Sequence, residues 1–496
     1  MNKTMKCYMN ALVILSAIGV VFFCFEGGIS GNDFWWHIKT GEWICNNYQI
    51  PTHDVFSWYG VQNGLEWETH EWLSQVIFWQ VFKYFGEVGI YLLSLLLAIS
   101  MTGLLFRKMR THLYLNPVVV SLFLVEYAVL TSLFFYGRPH VFSYFLLYAE
   151  LECLCAFWKE KKVYMLCFIP FISILWSNLH GGSAILCYGL CIIMLVGGLF
   201  KIECGRIHSS KWDKKQIIQL SSVTVASALG VMVNPMGFKA FIYPYWNVTN
   251  NLMSRVISEW AAPDMKDIGH MVLYFLPAFV AMFGMLFSKK DIELIDVLYV
   301  FFFLFIFLRS VRFIALLYIG FSFFAIPYVM ECKVKEIKAK SEHLAVWVIM
   351  LGLILFSSSS IIEMSKLIDS KKIIGRVLED EMIEAVKKYA PQRLYNDYNL
   401  GESLIYHEIP VFFDARADVY IRHDVFADGL TLMLLQNVGD KVEDKGTIDI
   451  EILINKYGFD AMLILTERPL YSYLLSHPEK YELIYETEQT AFYKVK

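Results

Sequence analysis

A short stretch after the first hydrophobic segment concentrates acidic, imidazole and indole side chains. It reads DFWWHIKTGEW from Asp33 onward, and it places Asp33 and His37 one helical turn apart. On a helix such residues lie on the same face, so this carboxylate and this imidazole are expected to be neighbours. The pair has the chemistry to exchange a proton with a bound hydroxyl group, and its alternative role is a structural hydrogen bond.

More groups of the same kind follow in this loop and in four later loops. They are His53, Asp54, His70, Glu71, Arg138, His140, Asn178, His180, Glu259, Arg309 and Arg312. The histidines and acids of the first loop are also metal-ligand types, although they lack the H-x-x-x-H spacing of a compact zinc site. Arg138 and Arg309 have the alternative of anchoring helix ends at a membrane surface.

Long apolar runs separate these loops. Hydrophobic residues make up 57% of the 496 residues and charged residues 18%, and the mean hydropathy is +0.47. Runs of about twenty apolar residues predict a mainly α, polytopic bundle of about eleven membrane spans. The predicted spans are 10–29, 86–106, 116–136, 139–158, 163–177, 182–200, 216–235, 271–288, 292–308, 311–330 and 344–362. The net charge of −4 gives no reason to expect a nucleic-acid partner.

Lysine and arginine are distributed unevenly between alternate loops. Most of them lie before the first span and in the loops at 107–110, 159–162, 201–215, 289–290 and 333–340. The positive-inside rule makes these loops cytoplasmic, with the N-terminus inside and, after eleven spans, the C-terminus outside. The candidate polar side chains then all fall on the external side, which predicts a shared external cleft.

The chain is expected to divide into a membrane domain, 1–365, and a small soluble α/β domain on the external face, 366–496. Within the membrane domain, large external loops are predicted at about 30–85 and 236–270, and the first ends in a helix from Trp72 that should lie in the interface. In the tail, the strand-like runs are IPVFFDARADVYI and FDAMLIL, with a helix at DIEILINKYG. The DARADVY segment is expected either to fold against the first loop or to dock a partner.

The arrangement resembles the GT-C superfamily of integral-membrane glycosyltransferases. The segments NDFWWHIKTGEWI, IPTHDVFSW, WETHEWLSQVIF, GRPHVFSYF, LWSNLHGG and VNPMGF, with the tail segments RLYNDYNLGESLIY and VFFDARADVY, are similar to a group of bacterial membrane proteins usually placed near these enzymes. The resemblance covers nearly the whole chain. It implies transfer of a sugar from a polyprenyl-phosphate donor to an envelope glycan, lipid or protein, on the external face of the bacterial cytoplasmic membrane. Many GT-C enzymes have two adjacent acids in the first loop, whereas Asn32 precedes Asp33 here.

The resemblance and the residue types together imply three roles. Asp33 is expected to be the general base, oriented by His37. Arginine and histidine suit the donor phosphate, and the candidates for it are Arg138, His140, Arg309 and Arg312. The remaining candidates, expected to line the sugar and acceptor pocket, are His53, Asp54, His70, Glu71, Asn178, His180 and Glu259. No cofactor is firmly implied, and a divalent metal stays an open alternative.

Two other classes of function compete with transfer. A transporter or flippase would need ionisable groups near the bilayer midplane, and Glu126 in the third predicted span is one such group. A non-catalytic envelope-assembly protein would use its external tail for binding. The sequence leaves both alternatives open.

Overall fold

The computed structural model describes residues 3–29, 33–110, 117–249, 257–264, 266–331, 339–370, 373–375, 378–438 and 449–496. Asn32 lies outside these residues, as do parts of the loops predicted at 236–270 and 333–340. The contacts divide the chain into two units. The first contains Met1–Ile29, Tyr84–Thr249 and Ser254–Ile373, and the second contains Ser30–Lys83 and Ile374–Lys496.

Helices dominate the described part of the chain. The first eight are α1 Lys3–Phe25, α2 Phe34–Asn47, α3 Trp58–Asn63, α4 Trp72–Met109, α5 Pro117–Thr131, α6 His140–Glu160, α7 Phe168–His180 and α8 Ile185–Leu199. The next seven are α9 Lys214–Val231, α10 Phe238–Thr249, α11 Ile268–Phe287, α12 Leu294–Arg309, α13 Ile314–Phe324, α14 Ile326–Val329 and α15 Ala339–Ser370. The tail adds α16 Asp380–Tyr389, α17 Gly401–Tyr406, α18 Ala417–Tyr420, α19 Asp424–Leu434, α20 Ile450–Tyr457 and α21 Pro469–Leu475.

Several helices have the length and composition of membrane spans. Within the described ranges, those long and apolar enough to cross a bilayer are Cys7–Phe25, Trp72–Met109, His140–Glu160 and Val163–Ser183. Shorter apolar helices are Val119–Thr131, Ile185–Leu199, Tyr274–Phe287 and Val311–Phe324. Every span predicted from the sequence overlaps a helix. The chain is a multi-pass membrane protein, and the number of about eleven spans stays a prediction.

The first unit buries one side of its helices and leaves other apolar sides uncovered. Helix α1 packs against α5 and α15, and α7 and α8 both pack against α9. Leu96, Phe171 and Phe301 are 60%, 70% and 61% exposed. Side chains of this kind are costly to leave in water, so these faces suit contact with lipid.

Helix α4 joins the predicted interfacial helix to the second predicted span. Gly86 interrupts it with a φ of 62° and a ψ of −155°, a conformation that glycine adopts without steric cost. The helix predicted from Trp72 onward is confirmed, and its position in the membrane interface stays a prediction.

The second unit is built on a four-stranded sheet. The strands β4 Leu394–Asn396, β5 Ala461–Leu465, β6 Tyr481–Glu486 and β7 Thr490–Val495 lie in the order β4-β5-β7-β6. The first unit contains a separate sheet of three short strands, β1 Ile202–Cys204, β2 Ile207–Ser209 and β3 Ile292–Glu293. Strand β4 is parallel to β5, and the other pairs are antiparallel. All five residues of β5 are buried, which fits its unbroken apolar run AMLIL, and the predicted helix and strand at 450–465 are both present.

The first loop forms part of this second unit. The Trp58 indole Nε1 donates a hydrogen bond of 2.9 Å to the Leu394 carbonyl. Its ring lies 5.6 Å from that of Phe412 and 6.1 Å from that of Phe459, measured between centroids. The loop therefore contributes to the hydrophobic core of the tail.

The prediction that IPVFFDARADVYI forms a strand is wrong. In this fully described segment, Val411 makes an isolated bridge with Ser57, and Ala417–Tyr420 is the short helix α18. The apolar side chains are buried by aromatic packing with the first loop rather than by pairing in the sheet. The chain turns where Asp414 and Arg416 form an internal ion pair, and an extended strand cannot make that turn.

Candidate functional site

Asp33 and His37 lie where the sequence predicts, at the start of α2. Asp33 is the residue before the helix and is half-buried, and its carbonyl oxygen accepts the His37 N–H at 3.4 Å. The His37 side chain is 3% exposed and its ring lies 3.7 Å from the Trp36 ring, centroid to centroid. Helix α2 therefore holds the imidazole rigidly one turn after the candidate base, while the orientation of Asp33 by His37 stays a prediction.

Glu71 lies between two histidines of the first loop. Its Oε2 is 3.9 Å from His37 Nδ1 and its Oε1 is 3.5 Å from His70 Nε2. Gln75 Nε2 lies 3.4 Å from the same His37 nitrogen. The structure thus brings three of the predicted site residues into one acid–imidazole group, the His37–Glu71–His70 group.

His70 is held in its charged form. Burial favours the neutral imidazole, but the Glu71 carboxylate outweighs it and, with Asp418, raises the pKa of His70 to about 9. The His70 Nδ1 also lies 3.0 Å from the Glu68 carbonyl oxygen. At neutral pH the group therefore contains an imidazolium ion beside a carboxylate.

We expect Glu71→Gln to lower the pKa of His70 toward its ordinary value near 6.5, because the largest favourable charge is removed. NMR titration of the histidine ring protons in the detergent-solubilised protein would measure this pKa. The resonance that is missing from the spectrum of His70→Gln would identify His70. The pKa of His70 is higher in the folded state than in the unfolded state, so its protonation stabilises the folded protein. This contribution to the free energy of unfolding is complete below about pH 6.5 and is lost as the pH rises through about 9. The exposed Glu482 offers the matched control Glu482→Gln. An unchanged His70 pKa in Glu71→Gln would contradict the assignment.

Asp54 and His53 differ sharply in their surroundings. The Asp54 side chain is 0% exposed and its Oδ1 accepts a hydrogen bond of 2.8 Å from Arg416 Nη1. Arg416 is equally buried, and it also donates through Nε to Asp414 Oδ1 at 2.8 Å and through Nη2 to the Tyr420 hydroxyl at 2.9 Å. His53 is exposed beside Thr52. Asp54 thus connects the first loop to the DARADVY segment, which confirms that this segment folds against the loop, and its role in a substrate pocket stays a prediction.

In the first unit, two arginines surround Glu259. Arg138 Nη1 donates to Glu259 Oε2 at 2.7 Å, and the Arg312 guanidinium lies 4.6 Å from the centre of the neighbouring Trp260 ring. Burial opposes ionisation of Glu259, but Arg138 and Arg312 outweigh it and lower the pKa of its carboxyl. The Ser310 hydroxyl donates to the Glu259 carbonyl oxygen at 2.8 Å, which fixes the position of this loop. We call Arg138, Glu259 and Arg312 the arginine cluster.

Two predicted histidines adjoin this cluster. The rings of His140 and His180 lie 6.2 Å apart, and both arginines are close enough to His140 to act on it electrostatically. His180 Nδ1 is 2.7 Å from the Ser143 hydroxyl oxygen. The arginine cluster and these two histidines therefore lie where α6 begins and α7 ends.

Asn178 and Arg309 stand apart from these contacts. The Asn178 amide donates to the carbonyl oxygens of Ile174 and Val233, both at 2.8 Å, and so connects α7 to the turn after α9. Arg309 is exposed at the end of α12 and makes no ion pair with any residue that the structure describes. The predicted site residues thus divide between the two units, and the shared external cleft stays a prediction.

Sequence reasoning missed several charged residues around these groups. Arg422 Nη1 pairs with Glu68 Oε1 at 2.7 Å, and Arg416 has the buried partners described above. Glu150 is fully buried within α6. The signals were present, since DARADVY carries ionic residues inside an apolar segment and Glu150 lies inside a predicted span. Among the described residues, no group of three or more His, Cys, Asp or Glu has the arrangement of a metal site.

No protein-family model and no curated protein matches the chain. Solved structures are similar to it over nearly its whole length. The archaeal oligosaccharyltransferase AglB from Archaeoglobus fulgidus, in complex with an inhibitory peptide and a dolichol-phosphate, matches with a TM-score of 0.57 at 11% identity, over 94% of this chain and 70% of that one. The Archaeoglobus fulgidus oligosaccharyltransferase tethered to an acceptor peptide containing the NVT sequon matches with a TM-score of 0.54 at 11% identity, over 100% and 74%.

At 11% sequence identity, this similarity shows a shared fold and does not show a shared function. Both neighbours are oligosaccharyltransferases. The chain therefore shares its fold with these oligosaccharyltransferases.

Proposed function

We propose that this protein transfers a sugar from a polyprenyl-phosphate donor to a cell-envelope acceptor on the external face of the bacterial cytoplasmic membrane. The observation that carries the proposal is the arginine cluster, which lies at the ends of membrane helices in a chain that shares the fold of AglB. The dolichol-phosphate in the AglB structure supports a lipid-phosphate ligand for this fold.

The arginine cluster suits the phosphate of the donor. Arg138 and Arg312 supply planar guanidinium groups that engage phosphate oxygens through paired hydrogen bonds. Glu259 holds Arg138 in place before the donor arrives, which lowers the cost of ordering a long side chain. His140, His180 and the exposed Arg309 add positive or polar groups near the same helix ends.

Asp33 suits the acceptor side of the reaction. Its carboxylate accepts the proton of the acceptor hydroxyl while that oxygen forms a bond to the anomeric carbon. The bond from the anomeric carbon to the donor phosphate breaks, and its electron pair goes to the phosphate, whose charge the arginines stabilise. His37, one turn after Asp33 on α2, belongs to the His37–Glu71–His70 group, and this group supplies polar contacts for the sugar or the acceptor.

Reconstituted proteoliposomes would test the proposal. The full-length protein would be supplied with polyprenyl-phosphate-linked mannose, glucose or arabinose and with an envelope extract, and the released polyprenyl phosphate would be measured. Arg138→Gln and Arg312→Gln should each raise the KM for the donor about 10-fold to 100-fold, because a hydrogen bond to a charged group contributes about 1.5–3 kcal/mol. Arg107→Gln, at an exposed arginine in a predicted cytoplasmic loop, is the matched control. No release from any donor, or unchanged donor KM in both variants, would reject the proposal.

Transport is the second candidate, and one observation favours it. Glu126 and Glu150 are carboxyl groups inside membrane helices, and one Glu150 oxygen has no hydrogen-bond partner among the described residues. Ionisable groups in such positions occur in transporters. Movement of intact labelled donor across the same vesicles, lost in Glu150→Gln but retained in Asp33→Asn, would favour transport over transfer.

A further inference from the structure

A cavity of about 340 Å³ lies within the second unit, and its lining includes none of the residues assigned above to the candidate site. Helix α2 contributes Lys39, Glu42, Trp43 and Asn46 to it, and the segment after α17 contributes Glu408. This volume is near the lower end of the range of about 300–1,000 Å³ that small-molecule pockets occupy. The cavity therefore fits a small ligand or the end of a longer one.

Lys39 lies between two of the carboxylates that line the cavity. Lys39 Nζ lies 2.5 Å from Glu42 Oε2 and 3.0 Å from Glu408 Oε1, and the Lys39 side chain is only 14% exposed. Glu408 is 78% exposed, so its carboxylate keeps access to solvent. One ammonium between two carboxylates leaves a net negative charge, which disfavours phosphate and carboxylate ligands.

The two helices that contribute to the cavity, α2 and α17, are each followed by a left-handed residue. Glu408 has a φ of 61°, and Tyr48, which follows the α2 residues of the lining, has a φ of 53°. Residues other than glycine rarely adopt this left-handed conformation, and here it ends both helices and turns the chain beside the cavity. Tyr48 directly follows the lining residue Asn47, and its side chain is 92% exposed.

We propose that this cavity binds a neutral oligosaccharide, with a sugar ring against the Trp43 indole and its hydroxyl groups on Glu42, Asn46 and Glu408. A sugar ring presents an apolar C–H face, which packs on an aromatic ring, and a polar edge of hydroxyl groups. Carboxylates accept hydrogen bonds from those hydroxyls, and the Asn46 amide both donates and accepts. This binding goes beyond the transfer reaction, because it requires neither Asp33 nor the arginine cluster.

A glycan held in this cavity would stay near the enzyme between encounters with the donor. A second contact raises the local concentration of the bound chain without taking part in the chemistry. The expected ligand is therefore an oligosaccharide of the envelope rather than a lipid-linked sugar.

Binding of maltotetraose, mannotetraose and chitotetraose to the full-length protein in nanodiscs would test this inference by isothermal titration calorimetry. We expect at least one of them to bind, Trp43→Ala to weaken that binding at least 10-fold, and Trp43→Phe to retain part of it. Asn46→Ala and Glu408→Gln, at exposed positions, should weaken binding several-fold without loss of folding. Asn63→Ala, another exposed asparagine near a helix end, should leave it unchanged.

The outcomes separate this site from the proposed function. Asp33→Asn should bind the oligosaccharide as the unaltered protein does, even when transfer is lost. No binding of any of the three sugars, or equal binding by Trp43→Ala, Asn46→Ala and Glu408→Gln, would overturn the inference. Binding of a lysine-rich hexapeptide without binding of the sugars would assign the cavity to basic peptides and overturn it equally.

Discussion

Replacing Asp33 with asparagine is expected to abolish sugar transfer while the protein still folds and inserts into the membrane. The amide has nearly the same shape as the carboxylate but does not accept the proton of an acceptor hydroxyl. General-base catalysis contributes about 10²-fold to 10⁴-fold, so the kcat measured with saturating donor should fall by this factor. The released polyprenyl phosphate would again provide the measurement.

A matched control separates catalysis from general damage. Asp291 is an exposed aspartate in a predicted cytoplasmic loop, and Asp291→Asn should retain full activity. Donor binding should persist in Asp33→Asn, because the residues proposed to hold the phosphate are unaltered. Normal turnover in Asp33→Asn would remove Asp33 from the mechanism and would leave the donor site to be judged separately.

Replacing Arg416 with methionine should destabilise the second unit by about 3–5 kcal/mol. The substitution removes a fully buried guanidinium and leaves Asp54 and Asp414 with uncompensated buried charge. It also removes a cation that lies 4.6 Å from the centre of the Trp67 ring. Urea unfolding followed by tryptophan fluorescence would detect the loss, because the first loop is rich in tryptophan.

The control for this prediction is an exposed arginine of the same unit. Arg393→Met makes the same chemical change at the surface and should alter stability by less than about 0.5 kcal/mol. The double substitution Asp54→Asn with Asp414→Asn removes the two carboxylates instead of the guanidinium. It leaves Arg416 buried without its carboxylate partners and so tests the same ion pairs. Equal stability of Arg416→Met and Arg393→Met would refute the structural role of the buried ion pairs.

The helices were largely predictable because the membrane imposes a strong pattern on the sequence. Apolar runs such as the one ending at Phe25 predict a helix whatever they pack against, since a backbone in lipid must satisfy its own hydrogen bonds. The tail lacks such a constraint. Phe412 and Phe413 have the composition of a strand, yet aromatic contacts with the distant first loop determine their conformation.

The candidate site was predictable in its residue types but not in its pairings. Asp33 and His37 follow from local spacing on one helix, and Arg138 with His140 follows from one loop. The contact between Arg138 and Glu259 joins segments far apart in the chain, and one sequence carries no record of such a contact. Arg416 and Asp54 are also far apart in the chain, so their ion pair was not predictable from the sequence either.

The composite nature of the second unit affects the order of events during synthesis. The first loop ends at Lys83, but the tail that completes its core begins only at Ile374. At about 5–20 residues per second, a ribosome would need on the order of tens of seconds to make the intervening chain. Throughout that interval Asp54 would lack Arg416 and Trp58 would lack the Leu394 carbonyl, so a premature stop anywhere before Arg416 should expose a region that cellular proteases recognise. Chaperone contact with the nascent loop is therefore expected to last until the end of translation.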